Sequence, residues 1–292
     1  CPDDAEVRPL VEACRTRYFS MASILQDRFL AAVSKEGWPI EGVLRQAQVF
    51  DRFVKPLLQE RKKTAYFLVD SLRYEMGRDL AAGLRDLGAV EIQSALTVLP
   101  AVTPFGMAAL MPNADGALSA CLQGGHVEPV LGKRTLKTSA DRMDLLHKEY
   151  GQRFMDITLG DLLSKPADSF RRKMESVDFL VVRTQDPDLI AENLDARLAR
   201  KYITDAISDA VSAVGRLATL GFMHFVISAD HGHVLMPVVL PGEVVGVPDG
   251  DWAMRKRRCC LGQSRSSLPG TVVFKAANVG IQGDQQEICF PT

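Results

Sequence analysis

Three short apolar runs in this chain each lead into acidic residues, and this constrains the fold more than any other feature. Thr64 to Val69 (TAYFLV) ends at Asp70, and Phe179 to Val182 is followed within a few residues by Asp186 and Asp188. Phe222 to Ser228 (FMHFVIS) leads to Asp230 and His231. Apolar runs of this length, without alternation, are the pattern of strands buried on both faces. Helical periods lie between them: Met76, Leu80, Leu84 and Leu87 after the first, and Ile203, Ile207, Ala210, Val214 and Leu217 before the last. Ala89 to Leu99, closed by Pro100, reads as a further strand. Strands alternating with helices predict an α/β fold, a mainly parallel central sheet with flanking helices.

Ahead of the first strand the chain reads as helix. From Asp3 to Val33, the positions Val7, Leu10, Val11, Cys14, Tyr18, Met21 and Leu25 recur at three- and four-residue spacing, the period of one helical face. Val43, Ala47, Phe50, Val54 and Leu57 outline a second helix after Gly37-Trp38-Pro39. The expected organisation is a helical N-terminal segment over residues 1–60 and a core over residues 61–292. Residues 113–150 show no clear period and many Gly, Ser and Thr, which predicts an insertion or cap. Residues 234–292, rich in Val, Pro and Gly, predict short strands and turns.

Composition narrows the function classes. The 35 basic residues nearly cancel the 36 acidic ones, so overall charge does not recommend a nucleic-acid partner, although a local patch would suffice. No apolar stretch reaches the ~18 residues of a transmembrane helix, so no membrane partner is expected. The six cysteines (Cys1, Cys14, Cys121, Cys259, Cys260, Cys289) lack a C-x-x-C zinc spacing and are too sparse for a disulfide scaffold, which fits a reducing, cytoplasmic location. The chain starts CPDDAEVRPL, without Met or a signal pattern, and is expected to be a piece of a longer protein.

The strand ends carry the candidate chemistry. In open α/β sheets the carboxyl ends of the strands converge on a crevice where ligands bind. Carboxylates arriving there from separate strands repel one another unless a cation joins them. Asp70, Asp186 or Asp188, Asp230 and His231 offer the oxygen and imidazole donors of a Zn²⁺ or Mn²⁺ site, with Mg²⁺ suited to the oxygen part. Each Asp, taken alone, is also a common turn or helix-capping residue. Thr103, just before Pro104, stands at the expected start of a helix. As N-cap it would lie at an anion-attracting helix end, either capping only or acting as a metal-activated nucleophile facing a phosphate.

Four ordered blocks then point to a family. FLVDSLRYEMG (Phe67 to Gly77), LPAVTPFGMAALMP (Leu99 to Pro112), VVRTQDPDLIAEN (Val181 to Asn193) and ISADHGH (Ile227 to His233) resemble the successive motifs of the PglZ domain. That resemblance implies an alkaline phosphatase-like core and a two-metal hydrolase of bacterial phage defence of the BREX type. By position, Asp70, Thr103, Asp230 and His231 resemble the shell of one metal, with Thr103 as nucleophile. Asp188 resembles a ligand of the second, preferred over Asp186 by its offset from the strand. Many superfamily members have a His where this chain has Glu192, a departure from the pattern that still offers a carboxylate. The family's last ligand is a downstream His, and no His follows His233 here; either the core is truncated at its C-terminal end or the second metal site is degenerate.

The resemblance therefore implies a phosphoesterase using two divalent ions, expected to be Zn²⁺ with Mn²⁺ or Mg²⁺ as alternatives. Its expected action is that of a phosphodiesterase on nucleotide or nucleic-acid substrates, beside other defence-system proteins. The alternative is a catalytically weak or inactive scaffold within a defence complex. Arg73, Tyr74 and Glu75 mark the family and are expected to orient Asp70 or cap the next helix. His233 is expected at the rim, and His126, His147 and His224 have no spaced partners. Arg255 to Arg258 form a basic cluster suited to phosphates or simply to solvent, with Trp252 nearby as a base-stacking candidate.

Overall fold

The computed structural model describes residues 7–123, 125–184, 196–232, 245–256, 259–282 and 286–291. Asp186, Asp188, Glu192, His233, Arg257 and Arg258 lie outside these described residues.

The chain is an α/β protein built on a parallel sheet. Helix α1 (Arg8–Glu36) comes first, then a 3-10 turn (Gln46–Gln48), a π turn (Phe50–Val54) and α2 (Lys55–Gln59). Strand β1 (Thr64–Val69) leads into α3 (Tyr74–Leu84) and α4 (Thr103–Ala109). A small antiparallel sheet, β2 (Leu118–Gln123), β3 (His126–Leu131) and β4 (Arg134–Thr135), precedes α5 (Ser139–Tyr150). After it come β5 (Phe154–Thr158), α6 (Leu159–Ser164), α7 (Asp168–Arg171), β6 (Phe179–Thr184), α8 (Ala196–Thr219) and β7 (His224–Ala229). Strands β8 (Gly250–Arg255), β9 (Cys260–Ser264), β10 (Thr271–Lys275) and β11 (Glu287–Pro291) form an antiparallel sheet in the order β10-β11-β9-β8.

The parallel sheet runs β5-β6-β1-β7. Val69 on β1 is in register with Thr184 on β6 and Ala229 on β7, so all three strands finish at one level. The alternation along β1 and β6 divides the core into two layers. Tyr66, Leu68, Phe179 and Val181 face a layer formed by Phe50, Val54, Met107, Leu110 and Leu146. Ala65, Phe67, Val69, Leu180 and Val182 face Leu80, Leu162, Val214 and Leu217 from α3, α6 and α8. Covering on both faces is why every residue of β1 is buried and why its sequence is continuously apolar. Helix α4 sits between layers: its Met107 and Ala108 face the parallel sheet, while Phe105 joins Val127, Leu261 and Ile288 of the antiparallel sheets.

One sequence expectation fails and one strand escapes the sequence reading, each for an identifiable reason. Ala89 to Leu99 is not a strand; only Leu96 makes a bridge, to Arg45. Its apolar side chains instead face an open cleft of about 820 Å³ shared with Phe225 and Ile227 of β7, leaving Val90 and Ile92 40% and 41% exposed. The fourth parallel strand is β5, whose FMDIT sequence hides the signal: it is an edge strand, and Asp156 in its middle pairs with Arg183 at 2.6 Å. Helix α1 forms as its period predicts, but Val33 is its one buried residue and Leu10, Met21 and Leu25 lie on the surface. No helix of the described residues is long and apolar enough to cross a membrane.

Candidate metal centre

The level finish of β1 and β7 brings Asp70 and Asp230 together. Beyond Val69, the Asp70 N–H still bonds to the Thr184 carbonyl of β6 at 3.0 Å, which holds it at the sheet end. Ser71 then turns with φ 60, a left-handed conformation that a non-glycine residue adopts at a cost of about 1–2 kcal/mol. The turn aims its N–H at Asp230 Oδ1, 2.8 Å away. The His231 N–H donates to the same oxygen at 2.8 Å. With Oδ1 occupied by two backbone donors, Asp230 Oδ2 is the oxygen left over; it is buried and receives no hydrogen bond.

That oxygen lies 3.4 Å from His231 Nε2, and Asp70 Oδ1 lies 3.7 Å from the same nitrogen. His231 Nδ1 is 3.2 Å from the Gly232 carbonyl oxygen, a contact in which Nδ1 donates and which turns Nε2 toward the carboxylates. One donor atom from each of Asp70, Asp230 and His231 falls within 4.8 Å of the others, and all three residues are buried. Burial pushes the Asp230 carboxyl above the ordinary carboxylate range, opposed by His231, the Ser71 N–H, the Asp70 carboxyl and the His231 N–H. Two buried carboxyl groups beside an imidazole, one with an oxygen that receives no hydrogen bond, are costly by themselves and fit a divalent cation. The mixed oxygen and nitrogen donors suit Zn²⁺ or Mn²⁺.

Thr103 completes the group from another direction. Val102, extended at φ -132 and ψ 149, is the N-cap of α4, and Thr103 is the first helical residue rather than the cap. Its hydroxyl makes no capping bond and lies 3.2 Å from His231 Nε2. The expected anion-attracting helix end is weak, since α4 has only 7 residues. What sets Thr103 in place is Gly106. A Cβ there would stand 2.2 Å from the Asp230 carbonyl oxygen, so only glycine lets the helix lie directly on the Asp230-His231 turn.

Sequence reading missed Gln46, which fixes that turn from behind. Its side chain is buried, and its amide donates to the carbonyls of Ala229 at 2.7 Å and Asp230 at 2.5 Å. Its oxygen accepts from the Val98 N–H at 3.2 Å, and the Thr97 hydroxyl lies 3.1 Å from both that oxygen and the Asp230 carbonyl. Nothing in the local sequence marks Gln46, because its role comes from a contact distant along the chain.

The structure thus brings together Asp70, Thr103, Asp230 and His231, while Asp188 and Glu192 fall outside the described residues. Arg73 occupies the N-cap of α3 without a side-chain capping bond and pairs with Glu75 at 3.0 Å. Trp252 does not offer a stacking face: it is buried, and its indole N–H donates to the Pro248 carbonyl at 2.7 Å.

Comparison with known proteins gives a consistent picture. Residues 49–292 match a family model described as the BREX system PglZ alkaline phosphatase-like domain. The chain is 23% identical over 283 residues to the alkaline phosphatase-like protein PglZ of Bacillus cereus (strain H3081.97), a match covering 94% of this chain and 32% of that protein. It is 26% identical over 214 residues to the alkaline phosphatase-like protein BrxZ of Escherichia coli O9:H4 (strain HS), covering 70% of this chain and 24% of that protein. The matched regions therefore span about a third or less of these relatives' length.

Proposed function

We propose, because this chain belongs to the PglZ family of BREX alkaline phosphatase-like domains, that it is a metal-dependent phosphoric ester hydrolase. Its substrates in this reading are phosphodiesters of nucleotide or nucleic-acid type. It acts in the bacterial cytoplasm with other proteins of the defence system. The observation that carries this reading is the buried Asp230 Oδ2, which receives no hydrogen bond and lies 3.4 Å from His231 Nε2, itself 3.2 Å from the Thr103 hydroxyl.

Asp70, Asp230 and His231, with the Thr103 hydroxyl, would hold one divalent cation, Zn²⁺ or Mn²⁺ before Mg²⁺. Asp188 and Glu192 are the proposed ligands of a second. Bound cations supply Lewis acidity, lowering the pKa of the hydroxyl and offsetting the charge of the phosphate. The protein's own contribution is positional. Gly106 presses α4 onto the Asp230-His231 turn, so the Thr103 Oγ1 is held at a fixed point before an ester arrives.

Attack by Oγ1 forms an oxygen–phosphorus bond as the bond to the leaving alcohol breaks. The hydroxyl proton passes to water, which reaches Thr103 because it is only partly buried, and the leaving oxygen takes a proton from water. Hydrolysis of the phosphothreonine regenerates the residue. The Nδ1 bond to Gly232 keeps the His231 ring from rotating away during the cycle.

Hydrolysis of bis(p-nitrophenyl) phosphate tests the reading. Turnover should depend on Mn²⁺ or Zn²⁺, vanish on chelation and return with the ion. A protein that binds the ion yet turns over neither this diester nor p-nitrophenyl phosphate would overturn the hydrolase and favour the scaffold.

A further inference from the structure

Two cysteines face each other across the larger antiparallel sheet. Cys260, the first residue of β9, is in register with Cys289 on β11. Both are buried, at 5% and 3% exposure, and share a small cluster with Trp252 and Val273. Their strand neighbours Leu261 and Ile288 point the other way, into the layer that holds Phe105 of α4. Among the described residues no other two cysteines are in register across strands.

The backbone bonds fix what kind of pair this is. The Ala276 N–H donates to the Gln286 carbonyl at 2.8 Å, so alternation along β11 turns the Cys289 N–H and carbonyl toward β9. The Lys256 N–H donates to the Cys259 carbonyl at 2.9 Å, so alternation along β9 turns those of Cys260 toward β11. Cys260 and Cys289 are thus a hydrogen-bonded pair, in which the Cα atoms stand about 5.5 Å apart. That spacing lies within the roughly 4.4–6.8 Å that a disulfide spans. The Cβ atoms of such a pair start wider apart than the ~3.8 Å of a relaxed bridge, so linking them draws the strands together and gives a bond that is readily reduced. The two sulfurs are not equivalent. On its other side Cys260 is in register with Arg255, an exposed residue of β8. Burial raises both thiols, and the Arg255 charge opposes the rise at Cys260. A cation beside a sulfur favours the thiolate, the form that attacks.

We propose that Cys260 and Cys289 form a reversible redox-modification site, closed to a disulfide by a peroxide and reopened by a dithiol. It stands independently of the hydrolase reading. The Cys260 thiolate attacks one peroxide oxygen, the oxygen–oxygen bond breaks, and the released hydroxide takes a proton to become water. Cys260 is left as a sulfenic acid. The Cys289 sulfur then attacks the Cys260 sulfur, and the sulfur–sulfur bond forms as the sulfur–oxygen bond breaks. The leaving hydroxide takes the Cys289 proton and departs as a second water. Two thiols have lost two electrons, and the peroxide has gained them. A dithiol reverses the step by exchange, ending as its own disulfide and returning both protein thiols. In a reducing compartment a bond this labile closes only while oxidant is present.

The test is peptide mapping of the folded protein after treatment with hydrogen peroxide, with the peroxide quenched and the remaining thiols alkylated in denaturant before digestion. The Cys260 and Cys289 peptides should appear linked, lighter by two hydrogens than the reduced pair, and dithiothreitol should separate them. Cys289→Ser should stop at the sulfenic acid on Cys260, trapped by a dimedone probe that wild type loses to the bridge. Cys260→Ser should leave Cys289 without that label. Cys259→Ser should link as wild type does, since Cys259 belongs to the opposite layer. If a serine variant does not fold, the wild-type map decides the matter. Cys260 and Cys289 still open to alkylation after peroxide, a link through Cys259 instead, or a link that forms only in urea would overturn the proposal.

Discussion

Asp230→Asn is expected to stabilise the metal-free protein and, in the same molecule, to abolish its response to divalent cations. The substitution keeps the shape of the side chain. The Asn carbonyl oxygen can still accept the Ser71 and His231 N–H bonds, each 2.8 Å in the wild type. The amide nitrogen replaces the buried oxygen that receives no hydrogen bond, 3.4 Å from His231 Nε2. A desolvated charge disappears with it. Removing such a charge is worth on the order of 1–3 kcal/mol, or several degrees in melting temperature for a chain of this size. A ligand present at about 100 times its Kd adds about 2.7 kcal/mol to a wild-type fold. The variant should gain none of it. Thermal melts with and without Mn²⁺ or Zn²⁺ measure both effects. A variant less stable than wild type without metal would show that Asp230 serves the fold rather than the ion.

Thr103→Ala is expected to separate chemistry from binding. The hydroxyl makes no helix cap, and its one described contact is the 3.2 Å approach to His231. Its loss should therefore cost little stability, under about 1 kcal/mol, for want of a buried partner left stranded. The carboxylates and imidazole stay, so metal binding should survive. Turnover of a phosphodiester should fall by roughly 10³-fold or more, as when a covalent nucleophile is removed, and Thr103→Ser should recover part of it. No phosphorylated species should be trapped on the Ala variant by acid quench. Wild-type turnover in Thr103→Ala would exclude Thr103 as nucleophile.

The parts legible in the sequence were those written in local pattern. Continuous apolar runs announced β1, β6 and β7, and the rule that ligands gather at strand ends singled out Asp70, Asp230 and His231, which the fold does place together. The four family blocks gave the alkaline phosphatase-like architecture. What escaped was set by contacts between distant segments. The apolar positions of Ala89 to Leu99 line a cleft instead of pairing as a strand, and the polar Asp156 masked β5. Gln46, the left-handed turn at Ser71 and the close approach of Gly106 to Asp230 have no local signature, since each exists only because another segment arrives beside it.

The central claim is that Asp70, Asp230 and His231 form a divalent-cation site, and calorimetric titration of Mn²⁺ and Zn²⁺ into chelator-treated protein tests it most directly. The expected result is saturable binding with a component lost in each of Asp70→Asn, Asp230→Asn and His231→Ala while all three remain folded. Binding that is absent in the wild type, or unchanged in all three variants, would contradict the account.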